Sequence, residues 1–144
     1  MKLEIQALVR YRLEQADEAL DATQILIEHA QYRSAVNRAY YAMFYGVLSL
    51  LVTSDSQTSK HAGVISLFDR DFVRTGAFDK AFSRWLHDAF ELRQESDYQE
   101  LVPVSAAQAQ EVWEHAQAFV AGVKAQLDRM IAEDEPRSIE PKFE

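Results

Sequence analysis

The fourteen residues AYYAMFYGVLSLLV, positions 39–52, contain no charged side chain. Wound as a helix, they place Tyr40, Tyr41, Met43, Phe44, Tyr45, Val47, Leu48, Leu50 and Leu51 on nearly every side of it. A helix of that kind must be covered all round, by its own domain or by a partner. The run falls short of the roughly 18 to 20 apolar residues that span a bilayer. The expectation is a buried central helix, with no membrane association.

The rest of the chain supplies helices to surround it. A first helix is expected over about residues 4–29, where Leu13, Ala16, Leu20, Thr23 and Ile27 recur at three- and four-residue spacing. The central helix covers about 32–53, and TSDSQTS ends it. A third is expected over about 60–75, capped by Thr58 or Ser59 and stopped at Gly76. A fourth, about 79–97, aligns Phe82, Trp85, Leu86, Ala89 and Phe90, and Pro103 closes the region after it. The fifth opens at Ser105-Ala106-Ala107-Gln108, a capping-box spacing, and continues through Ala109, Val112, Ala116, Phe119, Val123, Leu127 and Met130. Nothing reads as a strand, so the fold class is all-α, an antiparallel up-and-down bundle of about five helices. Residues 1–133 form its domain, and residues 134–144, acidic and proline-containing, are a flexible tail.

Composition narrows the chemistry. A chain of 144 residues is one domain, and with no cysteine it has neither disulfides nor thiolate metal sites, which fits a reducing cytoplasm. The opening twenty residues lack the apolar core of a secretory signal, so none is expected. The formal net charge of −8 disfavours extensive phosphate gripping, yet the deficit lies at the ends. Residues 1–30 carry −3, residues 94–144 carry −7, and residues 31–93 carry +2. A local positive site in the middle is compatible with that distribution.

His87 and Glu91 stand four apart, but no second helix offers a matching pair, so no metal site is expected. There is no glycine-rich phosphate loop and no serine in a nucleophile setting, so no cofactor is expected either. Lys60 and His61 begin the third helix, where a cation opposes the helix dipole. Either Lys60 extends into water, or the pair faces an anion held at the helix start. Asn37 and Arg38 precede the aromatic run, and Arg38 shares a side with Tyr41 and Tyr45. Arg93 extends the apolar stripe of Leu86 and Ala89, with Asp97 one turn beyond and Tyr98 next. Arg93 and Asp97 form either a structural ion pair or one wall of a polar pocket, with Asn37, Arg38 and Tyr41 opposite and Tyr98 at the rim.

Three segments, YRSAVNRAYYAMFYGVLSLL, KHAGVISLFDRDFVRTG and LHDAFELRQESDY, resemble elements of the HEPN superfamily, the higher-eukaryote and prokaryote nucleotide-binding domain. The likeness covers roughly residues 8–130. It implies a helical bundle, a homodimer packed through the central helix, and partnership with a minimal nucleotidyltransferase in a toxin–antitoxin-like system. Other members are metal-independent ribonucleases whose motif is an arginine, four to six residues, then a histidine. That motif maps onto Arg93, but Tyr98 stands where the histidine would be. Tyrosine ionises near pH 10 and is a poor base at neutrality. The resemblance therefore implies a module that holds a nucleotide or RNA without cutting it alone. The alternatives are a ribonuclease toxin using Arg93 with an unusual second group, or a purely structural dimeric module.

Overall fold

The first two helices, α1 (Leu3–Glu28) and α2 (Tyr32–Val52), are joined by a three-residue turn in a computed structural model that describes residues 1–54, 58, 60–98 and 103–134. Ala30 makes that turn in the left-handed region at φ +56°, and the Gln31 amide donates to the Leu26 carbonyl at 2.8 Å. Next come α3 (His61–Phe68), a π-helical turn (Asp69–Val73), α4 (Lys80–Tyr98) and α5 (Ala106–Asp134). No strand occurs among the described residues, and the fold is an all-helical bundle. None of its helices is long and apolar enough to cross a membrane. The tail at 135–144, the Ser59 cap and the Tyr98 side chain lie outside the described residues.

α2 is the central helix, in contact with α1, α3, α4 and α5. Tyr40, Met43, Val47 and Leu50 are wholly buried against those neighbours. The domain thus covers most of the surface that, by sequence, called for a partner. What stays partly exposed is a single stripe, Tyr41, Tyr45, Leu48 and Val52, at helical spacing. Counting apolar residues on one helix cannot separate cover by its own chain from cover by another.

The third helix departs from the regular run expected over 60–75. It widens into a π turn after Phe68, where the Arg74 amide reaches back five residues to the Asp69 carbonyl at 2.8 Å. Phe68, Phe72 and Phe78 pack together beyond it, with ring centres 5.3–6.2 Å apart. Gly76 follows at φ +88°, a conformation that glycine adopts freely. Lys60, rather than Thr58, is the residue at the cap position, and among the described residues no side chain caps α3. Thr58 Oγ1 instead accepts the Lys60 amide at 3.3 Å, one residue too early to serve the helix itself.

At α5 the capping box forms as spaced. The Gln108 amide donates to Ser105 Oγ at 3.1 Å, and the Ser105 amide donates to Gln108 Oε1 at 2.9 Å. Ser105→Ala should cost about 1 kcal/mol, read as a melting temperature lower by a few degrees. An unchanged melting curve would show that the reciprocal bonds contribute nothing.

Candidate functional site

Where α2, α3 and α4 meet, three basic or titratable side chains surround one ring. The Arg38 guanidinium carbon lies 4.8 Å from the centre of Tyr41, and that of Arg93 lies 5.2 Å from it. The His61 ring centre is 5.7 Å away, meeting Tyr41 edge-on. Helical spacing explains the first contact, since Arg38 and Tyr41 are three apart on α2. Arg93 arrives on the buried side of α4, four residues after Ala89, and lies 5.4 Å from the centre of Tyr40 as well.

The two arginines are held in different ways. Arg38 donates from Nε and one terminal nitrogen to the amide oxygen of Asn37, at 3.3 and 3.2 Å. That partner is neutral, so it orients the guanidinium without cancelling its charge. Arg93 Nε stands 3.4 Å from Asp97 Oδ2, but this buried nitrogen makes no hydrogen bond. The side chains are 17% and 27% exposed, so the pair borders solvent. Two cations thus converge on Tyr41, and the carboxylate beside Arg93 is only loosely engaged. A planar guanidinium with free donors is suited to a phosphate or carboxylate. Asn37, Arg38, Tyr41, Arg93 and Asp97 thus lie in one chain of contacts between α2 and α4.

Lys60 and His61 are not brought together. Lys60 is exposed, whereas His61 turns inward and stacks on Phe44, with ring centres 4.3 Å apart. Of the two readings of this pair, the exposure of Lys60 fits the one in which it extends into water. Adjacent residues of a helix point about 100° apart, and the aromatic surface of α2 takes the histidine. His61 Nδ1 is bonded to the Tyr40 hydroxyl at 2.7 Å. Burial, and then the charge of Arg93, lower the His61 pKa from its ordinary value. Burial raises that of Tyr40 far above the usual phenol range, although Arg93 pulls against it. At neutral pH the pair is an uncharged imidazole on an uncharged phenol.

Tyr40 and Phe44 went unassigned in sequence, where they read as core. Their four-residue spacing shows that they share a side, but nothing along the chain says that His61 covers it. His87, spaced for Glu91, bonds Asp69 of the π turn at 2.7 Å instead. A wider cleft of about 560 Å³ lies between the start of α1 and the end of α5, around Met1, Ile5, Thr53 and Met130. The Met1 ammonium already pairs with Asp134 there, and none of the clustered arginines reaches it.

The architecture is thus that of a helical-bundle domain with two arginines gathered on an aromatic cluster of its central helix. The HEPN domain family matches residues 9–126, and the chain belongs to that family. It is 34% identical over 125 residues to a UPF0332 protein of Thermotoga maritima, covering 87% of this chain and 95% of that one. It is 38% identical over 128 residues to a Methanocaldococcus jannaschii protein named "Putative toxin MJ0605", covering 89% and 92%. A second protein of that organism, with the corresponding name, is 31% identical over 133 residues, covering 88% and 90%.

Proposed function

We propose that this domain binds the phosphate of a nucleotide or RNA between Arg93 and Arg38, as a cytoplasmic component of a toxin–antitoxin-like system. The observation that supports this most is the unequal charge at Tyr41. Two guanidinium groups converge there, one held by a neutral amide and the other by a carboxylate it does not properly engage. A pair placed for stability alone has no use for the second arginine. The names of the Methanocaldococcus relatives favour the biological setting, and a nucleotidyltransferase is the partner class that the family likeness suggests. Calorimetry with a short single-stranded RNA and with a nucleoside monophosphate tests the reading. Binding should be saturable and weaken with salt. No heat at millimolar ligand would sink it.

The same reading includes a homodimer through α2. Its remaining stripe of Tyr41, Tyr45, Leu48 and Val52 is apolar, continuous and adjacent to the arginines. A self-complementary helix face of this kind suits a twofold contact. Light scattering should return twice the chain mass, and Leu48→Glu should return the single mass. A parent protein that stays monomeric at high micromolar concentration would remove the dimer from the proposal.

A further inference from the structure

Between α4 and α5 lies a cavity of about 170 Å³, and none of the residues around it belongs to the arginine cluster. Its chemistry is the reverse of that cluster. We propose that this cavity binds one organic cation, a guanidinium or alkylammonium group carried on a short apolar stem.

The depth of the cavity is apolar. Met43 of α2, Ala89 of α4 and Val112 of α5 are buried there, and the short side chains of Ala89 and Val112 leave the space open. One wall is aromatic. Trp85 and His115 lie nearly parallel, with ring centres 5.0 Å apart and planes 14° apart, and Phe82 braces the indole at 4.9 Å. A flat cation stacks on an aromatic surface of this kind, while its methylene stem lies along the buried methyl groups.

The mouth is acidic. Asp88 of α4 and Glu111 of α5 are exposed at the cavity, and neither has a hydrogen bond or ion pair among the described residues. Asp88 stands three residues after Trp85 and Glu111 four before His115, so helical spacing sets each carboxylate beside the aromatic wall. No lysine or arginine occurs between Trp85 and Leu92, or in α5 before Lys124, to neutralise them from their own helices. Two carboxylates from different helices thus border one apolar space without a cation of their own. The same features select against other ligands. A phosphate would meet two negative charges, and a nucleotide needs a larger site, since pockets for ligands of that size run to about 300–1,000 Å³.

Calorimetry on the full chain with propylguanidinium, and with uncharged propylurea of the same shape, tests the proposal. Propylguanidinium should bind saturably with a Kd on the order of 1 mM, and propylurea should give no saturable heat. Asp88→Asn and Glu111→Gln should each weaken binding about three- to fivefold, and together by about tenfold or more. Both side chains are exposed, so the melting curves should match the parent. Glu18→Gln removes the same charge from an exposed position on α1 and should leave the affinity unchanged. A blocked Gly-Arg-Gly peptide separates the two sources of such a cation. Binding at least as tight as propylguanidinium assigns the site to an arginine side chain of another protein, weaker binding assigns it to a free small cation, and either supports the site. No saturable heat at tens of millimolar propylguanidinium, equal binding of propylurea, parental affinity in the double variant, or equal weakening by Glu18→Gln would each overturn it.

Discussion

Arg93→Gln weakens RNA binding by tenfold or more and leaves the melting temperature within a few degrees of the parent. Hydrogen bonds to a charged group contribute about 1.5–3 kcal/mol, and about 1.4 kcal/mol is one decade of affinity. The small stability cost follows from how Arg93 is held. Breaking a truly buried ion pair costs about 3–5 kcal/mol because the remaining charge is stranded. Here Asp97 is 27% exposed and stands 3.4 Å from a nitrogen it does not hydrogen-bond, so water takes it up once Arg93 is gone. Arg38→Gln acts in the same direction. Asp97→Asn should do the reverse and tighten binding, since it removes the one anion that competes for Arg93 among the described residues. Calorimetry against one RNA, with melting curves for each variant, reads all three. A collapsed fold in Arg93→Gln would mean that the arginine is structural.

A large loss in stability, with no role in binding, is expected at Phe119. Its ring is wholly buried in α5 and meets Phe68 at 5.3 Å and Phe82 at 5.5 Å, so three helices close on it. Gly46 of α2 faces the same ring, where an added Cβ would stand at ordinary contact distance, 3.8 Å. Phe119→Ala leaves a cavity that such a packed junction cannot fill by relaxing, at a cost of about 3–5 kcal/mol. For a chain of this size that lowers the melting temperature by on the order of 10 °C. Below the transition, RNA affinity should equal that of the parent, because Phe119 makes no contact with the arginines. A drop of only two or three degrees would show that Phe82 and Phe68 close the gap.

Five helices and the α5 cap were readable from spacing because each is a local property. Arg93 was readable for the same reason, since it falls four residues after Ala89 on an apolar stripe and violates it. His61 was not. Its direction depends on Phe44 and Tyr40, some twenty residues away, offering a flat surface and a hydroxyl. The π turn after Phe68 escaped as well, because Asp69–Val73 keeps apolar spacing close to that of an ordinary helix. The covering of α2 is the converse case. Its apolar residues foretold burial, but which chain would do the burying is a property of the whole assembly.

The division of labour among the helices also polarises the molecule electrically. The site is built by α2, α3 and α4, whose arginines lie in the segment of net +2, with Asp97 just beyond its end. α1 and α5, which pack on α2 and on each other, are themselves acidic: six acidic and two basic residues give α1 a net −4, and five acidic and two basic give α5 a net −3. An approaching polyanion is therefore turned away by one side of the bundle and admitted by the other. Salt then has two opposed effects, weakening the contact at Arg93 and Arg38 while relaxing the repulsion at longer range. A short strand or a free end, which reaches the arginines without lying along α1 or α5, escapes that repulsion; a long duplex does not.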